Sequence, residues 1–423
     1  MASARVHIIG AGLSGLSAAV QLARAGIPVS LHESAGQGGG RCRSFFDAKL
    51  DRRIDNGNHL MLSGNWAIRE YLAVTEAKDA LTGPEDAAFP FRDLKTGETW
   101  HVRPDRGRVP WSVLFGPGRV PGTGLGEYLR GLRLARADDD ATIADCLSGP
   151  GKLYERFWEP LAVGVLNTPA ETASAKLLWP VMAETFGRGR AACRPLMARE
   201  GLSEAFVDPA LAYLKGQGAT IAFNDRLRGL GLHGGRVQSL DLASGAVELG
   251  ERDQVILAVS AWVAADLLPG LAVPTEAHAI VNAHYRLPSA PPADAPPLVG
   301  LVGGTSQWVF LRGDVASVTV SAADALAEES NEVVAERLWP EVRAALGLAP
   351  DMALPPWRIV KEKRATIAQT PAANRLRPDA ATAWENLVLA GDWTATGLPA
   401  TIEGSIRSGR TAAGRIAKAF TSA

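Results

Sequence analysis

Near its start the chain reads Val6-His7-Ile8-Ile9-Gly10-Ala11-Gly12-Leu13-Ser14-Gly15, a strand-length run ending on three glycines spaced Gly-x-Gly-x-x-Gly. Leu16, Ala19, Val20, Leu22 and Ala23 then recur at helical spacing until Gly26 stops the helix. Pro28 leads into a second strand, Val29-Ser30-Leu31-His32-Glu33, whose acid lies 18 residues after Gly15. Strand, glycine loop, helix, second strand and acid in this order are the parts of a dinucleotide-binding unit. Gly10 permits the tight turn, Gly12 lets the backbone approach a pyrophosphate, and Gly15 lets helix and strand pack closely. The helix amides and dipole hold the phosphate charge, and Glu33 accepts from ribose hydroxyls. An acid at 33 disfavours a 2'-phosphate, so the expectation is FAD or NAD rather than NADP.

Three further blocks favour FAD. Gly38-Gly39-Gly40-Arg41-Cys42-Arg43-Ser44 follows the second strand and offers backbone amides and a guanidinium to phosphate oxygens. Then comes Ile54-Asp55-Asn56-Gly57-Asn58-His59, where Gly57 lets the backbone pass a flat ring. At the other end, Leu387-Val388-Leu389-Ala390 reads as a buried strand ending at Gly391-Asp392-Trp393, with a helix starting near Ile402. Asp392 is placed to accept from ribityl hydroxyls, and the helix start to stabilise charge on a reduced flavin.

Composition narrows the class. The chain has 423 residues, too many for one core, so two domains are expected. Lys and Arg total 44 against 45 Asp and Glu, which argues against a nucleic-acid partner. Three dispersed cysteines and seven histidines without ligand spacing suggest neither a disulfide framework nor a metal site, and fit a reducing cytoplasm. No apolar run has the length of a spanning helix and no cleavable leader is visible, so the protein is expected to be neither secreted nor transmembrane.

The three glycine-marked blocks together resemble the amine oxidase/phytoene desaturase superfamily of FAD enzymes. Within it the chain looks most like the squalene-associated hydroxysqualene dehydroxylases of hopanoid biosynthesis. The residues that carry this are 55–59, Phe157-Trp158-Glu159-Pro160-Leu161, Leu166-Asn167-Thr168-Pro169 with Ala173-Ser174-Ala175, and 391–405. The resemblance implies an α/β fold: a discontinuous Rossmann-like FAD-binding domain joined to an α+β substrate-binding domain. It implies noncovalent FAD, with Leu227 beside the adenine through its backbone. The expected contacts are Gly10, Gly12, Leu13, Ser14, Gly15, Glu33, Ser34, Gly39, Gly40, Arg41, Gly57, Asn58, His59, Leu227, Gly391, Asp392, Thr401 and Ile402.

The resemblance further implies reductive dehydroxylation of hydroxysqualene to squalene, an apolar isoprenoid substrate, and an external electron donor. His59 and Glu403 are the candidate proton donors, each with a structural alternative: a hydrogen bonder beside the cofactor, and a helix-terminal charge. Trp158, Trp179 and Trp308 fall in the expected substrate domain, either as core or as cation-stabilising faces.

The expected flavin domain comprises 1–75, 196–274 and 361–423, and the substrate domain comprises 76–195, mostly helical, and 275–360. Helices are expected at 125–137, 153–165, 203–215 and 331–346. Residues 101–136 hold seven arginines and two acids, interleaved with Trp111, Val113, Leu114, Phe115, Tyr128, Leu129 and Leu132. That pattern fits either a peripheral contact with an anionic inner membrane or a core-packed helix with solvated arginines. The competing functional expectations are an amine oxidase or carotenoid-type desaturase, a non-catalytic lipid escort with this fold, and an NAD dehydrogenase. A second dinucleotide fingerprint is not visible.

Overall fold

The computed structural model describes residues 4–292 and 295–421, so the outermost ends of the expected flavin-domain segments, 1–3 and 422–423, lie outside the described residues. A five-stranded parallel sheet runs in the order Thr220–Ala222, Val29–His32, Val6–Ile9, Gln254–Leu257, Leu387–Leu389. Its strands read as near-continuous apolar runs because both faces are covered. The first helix, Leu13–Arg24, and the C-terminal helix, Ile402–Thr421, bury one face through Ile8, Leu16, Val20 and Ile406. A three-stranded antiparallel meander, Leu227–His233, Arg236–Leu242 and Gly245–Glu248, buries the other face through Ile9, Val237, Leu240 and Leu257. The Val6–Ile9 strand lies between neighbours reached by opposite connections. A crevice therefore opens at the carboxyl ends of the strands, where this class of sheet binds its ligand.

The second layer is a seven-stranded sheet ordered Trp357–Ile367, Ala277–Arg286, Val315–Val320, Trp308–Arg312, Leu298–Val302, Phe89–Asp93, Thr99–Val102. Its pairings are antiparallel except where Phe91 runs parallel to Gly300, the contact that joins two segments distant in the chain. Alternation along the strands sends Val299, Val309 and Val318 to the helix Asn331–Leu346. Phe91, Leu298 and Phe310 face the opposite way, toward the helices Glu159–Leu166 and Ala175–Glu184.

Three expectations need correction. The boundary at 195/196 cuts the strand Pro195–Ala198, and the boundary at 360/361 cuts Trp357–Ile367. The latter strand carries Ile359 in the core beneath the seven-stranded sheet and Ile367 in that of the meander, so one extended element serves both layers. Composition shifts along the chain and ladder hydrogen bonds need not change at the same residue. The third correction concerns helices read as continuous: 125–137 is α-helical only over Leu125–Leu129 and turns 3-10 at Arg130–Arg136, while Tyr154–Trp158 and Ser203–Val207 are π-helical turns.

Candidate active site

The glycine loop at the end of the first strand is built for close approach. Gly10 has φ +103, and a Cβ there would lie 2.4 Å from the Ala258 carbonyl oxygen. A Cβ on Gly15 would lie 1.9 Å from the Gly10 oxygen, so that glycine serves helix-on-strand packing. Gly12 differs: a Cβ there meets nothing within 4 Å, because the residue faces open space. Gly12, Leu13 and Ser14 line a cavity of about 1210 Å3, and no side chain caps the helix they begin.

Glu33 closes the loop from the second strand. Its carboxylate accepts from the main-chain amides of Ala11 (2.7 Å) and Ala35 (2.8 Å) and from the Ser34 hydroxyl (3.1 Å). The Gly39 amide donates to the Ala11 carbonyl (2.7 Å), which brings the second glycine block beside the first. Arg41 then reaches across to the C-terminal block, donating to the Asp392 carboxylate (2.6 Å) and the Ala365 carbonyl (2.5 Å). Segments 351 residues apart in sequence thus meet in one ion pair.

The end of the second strand, the second glycine block and the C-terminal block all line the same cavity, through Glu33, Ser34, Gly39, Gly40, Arg41, Gly57, Asn58, His59, Leu227, Gly391, Asp392, Thr401, Ile402 and Glu403.

Arg377 was not singled out by sequence reading, yet it shapes this end of the site. It is buried, and its guanidinium donates to the carbonyls of Asp392 (2.8 Å), Thr394 (2.9 Å) and Leu398 (2.7 Å). Burial pushes its pKa down to about 10, with Asp392 opposing. An arginine tying a loop leaves no motif, so sequence alone had no signal for it.

Beyond the cofactor-type segments the cavity becomes apolar and aromatic. Phe89, Phe91, Phe157, Phe186 and Trp308 line it, with Phe157 and Phe186 5.8 Å apart and Phe91 edge-on to Trp308 at 5.3 Å. Of the three tryptophans considered from sequence, Trp308 lines the cavity, whereas Trp158 is buried 4.7 Å from Phe157 and Trp179 packs against the same core. Between the two compartments lies a polar strip. Asn58 donates to the Thr319 hydroxyl (3.0 Å), which donates to the Asn282 amide oxygen (2.8 Å). Asn282 and Thr319 sit on central strands, where their alternation reads as core.

The two acid candidates have different surroundings. Glu403 is buried and accepts from the amides of Ala67 (3.1 Å) and Ile68 (3.0 Å), capping the helix Trp66–Val74, and from Arg407 (2.8 Å). His59 is half-buried at the cavity, and among the described residues no group hydrogen-bonds its ring. Burial pushes its pKa from 6.5 down to about 4, with Asp55 opposing and Arg41 adding. The ring is therefore neutral at physiological pH.

An uncapped helix start, an open Gly12, an acid beside the loop and an extended crevice suit a dinucleotide. The volume exceeds the roughly 300–1,000 Å3 of a single small-ligand site and leaves room for an apolar chain. The chain belongs to the flavin containing amine oxidoreductase family, whose sequence pattern matches residues 13–417, and FAD is its cofactor.

Within that family the chain is 47% identical to a hydroxysqualene dehydroxylase of Rhodopseudomonas palustris over 412 residues, 97% of this chain and 98% of the relative. It is likewise 47% identical to a hydroxysqualene dehydroxylase of Sinorhizobium fredii over 408 residues, 96% and 97% of the two chains. A solved putrescine oxidase bound to putrescine, 18% identical, has the same fold with a TM-score of 0.68, covering 98% of this chain and 99% of that one.

Proposed function

We infer that this chain is an FAD-dependent oxidoreductase that removes the hydroxyl of hydroxysqualene reductively, yielding squalene and water. The observation that carries the reading is one continuous cavity joining a dinucleotide cradle to an aromatic chamber across a narrow polar strip. The similarity to hydroxysqualene dehydroxylases over nearly the whole chain supports the same substrate. The test is whether the photoreduced protein, without oxygen, converts hydroxysqualene to squalene.

Gly10 to Gly15, Glu33, Gly39 to Arg41, Leu227 and Asp392 would hold the FAD. Reduced FAD, when bound, supplies the hydride that replaces the hydroxyl. The chain's own residues bind and orient the substrate. The aromatic chamber takes the hydrocarbon and excludes water, and the faces of Phe157, Phe186 and Trp308 favour positive charge as the carbon–oxygen bond weakens. Asn58 and Thr319 offer the hydroxyl a polar landing beside that chamber. We assign His59 as the N–H donor to the departing oxygen: its ring faces the cavity, is neutral, and is free of protein partners among the described residues. The proton that completes water is drawn from solvent.

Glu403 does not suit that part. Its oxygens are engaged by two amides and Arg407, so its geometry serves the joint between the C-terminal helix and the helix Trp66–Val74. Glu403→Gln is expected to cost about 1–3 kcal/mol of stability in denaturant melts. Turnover should stay within a few-fold, against the roughly 100-fold or greater loss expected of a catalytic acid.

The electron donor lies outside the chain on this reading. Three buried, free cysteines support a reducing cytoplasm. The substrate's insolubility supports work at a bilayer surface. Among the described residues no helix is long and apolar enough to cross a membrane.

A further inference from the structure

The described residues expose ten large apolar side chains, and half of them fall in one short segment: Val109 (44%), Trp111 (56%), Phe115 (79%), Leu129 (50%) and Leu132 (63%). Trp111 and Phe115 are one turn apart on the helix Trp111–Phe115, and their rings stack at 6.0 Å, so both project from the same face. The seven arginines of 101–136 surround this segment, and none forms an ion pair among the described residues. Of the nearby acids, Asp105 accepts from Ser112, Glu127 from Gly124 and Leu153, Asp139 pairs with Lys176 and Asp140 with Arg375. Unpaired positive charge beside exposed aromatic bulk is complementary to an anionic lipid surface.

The segment is also wired to the apolar end of the cavity. On one side it continues from Val102, which lines that end. On the other, the Arg190 amide donates to the Asp105 carbonyl (2.7 Å) and its guanidinium to the Pro104 carbonyl (3.3 Å). This holds 104–105 against the turn that follows Phe186, another lining residue. From below, Gly131 sits so close to Trp158 that a Cβ would lie 2.9 Å from its ring, and Trp158 packs on Phe157 at 4.7 Å. Trp158 and Phe157 thus stand between Gly131 and the chamber.

We propose that residues 106–132 form the face on which an anionic bilayer docks, and that the isoprenoid passes from the bilayer into the chamber between Val102 and Phe186. The second half rests on the substrate reading above. The occupant is a lipid surface rather than a protein because the charges are unpaired arginines flanking aromatic tips, and the chamber behind them takes a hydrocarbon.

The test is sedimentation of the FAD-loaded protein with vesicles of phosphatidylcholine alone or of phosphatidylcholine with an equal part of phosphatidylglycerol. Binding is expected to the anionic vesicles only, and to weaken with salt. Trp111→Ser with Phe115→Ser should weaken it roughly tenfold or more, and Arg106→Ala or Arg108→Ala about fivefold each. The aromatic double variant should turn over vesicle-borne hydroxysqualene at least roughly tenfold more slowly than the parent, yet match it on detergent-dispersed substrate. Absence of binding to anionic vesicles at low salt, or undiminished binding by the double variant, overturns the docking face. Weak binding with undiminished vesicle turnover overturns the route. A parent inactive even on dispersed substrate would instead strike the dehydroxylation reading and leave the binding result standing.

Discussion

Gly12→Val is expected to purify as a folded but colourless protein. The backbone at Gly12 is extended, with φ −69 and ψ 173, a conformation any residue adopts. A Cβ there meets no protein atom within 4 Å, so the polypeptide itself has no reason to reject it. The added methyls instead occupy the space beside the first helix where a pyrophosphate must come within hydrogen-bonding distance of the amides. Circular dichroism should match the parent, while visible absorbance and FAD recovered after heat release should fall to background. Gly15→Val supplies the contrast, because its Cβ would strike the Gly10 carbonyl at 1.9 Å and the helix must move. That variant should lose stability as well as flavin. A yellow Gly12→Val protein with ordinary FAD content would contradict the placement of the cradle.

His59→Ala should keep its flavin and lose turnover. No protein group leans on the ring among the described residues, so its removal opens a small space without breaking a network. Loss of one pre-organised donor to a developing negative oxygen costs roughly 10²–10³-fold in kcat. The pH profile separates two ways in which the ring can act. With its pKa pushed down to about 4, His59 is neutral throughout the physiological range, and a neutral donor gives a rate without a histidine limb between about pH 5.5 and 8. Activity through this form is lost only as pH falls through about 4. A rate that climbs about tenfold per unit on acidification would show that the rare imidazolium is the acid.

The cofactor half was legible because each of its parts solves a local problem with a recognisable residue. Gly10, Gly12, Gly15 and Glu33 stand at fixed offsets from a strand, and the helix Leu13–Arg24 and the strand Val29–His32 lie where their apolar spacing predicts. Arg377, Asn282 and Thr319 were not legible for the opposite reason. The last two act on groups far away in sequence, Thr319 joining Asn58 of a loop to Asn282 of another strand, and Arg377 ties three carbonyls of a loop with no motif of its own.

The motif around Asn167, which helped carry the resemblance, proves to stitch the fold together. With φ +47, Asn167 donates to the His278 carbonyl (3.1 Å) and Thr366 (3.0 Å) and accepts from the Ala322 amide (2.7 Å), joining a helix end to three strands or their termini. Gln369 completes the joint by accepting from the Ala400 amide (2.7 Å). Residues that mark a family need not serve only its substrate: the motif at 55–59 supplied Asn58 of the polar strip, whereas Asn282 and Thr319, on central strands, belong to no motif.

Reductive dehydroxylation is tested most directly by a single anaerobic turnover. The yellow protein is photoreduced to one equivalent of reduced flavin, mixed with hydroxysqualene, and followed by flavin absorbance while products are resolved by gas chromatography. Flavin is expected to reoxidise as squalene appears, one squalene for each flavin, with no oxygen present. A flavin that stays reduced while hydroxysqualene remains intact would contradict that reaction.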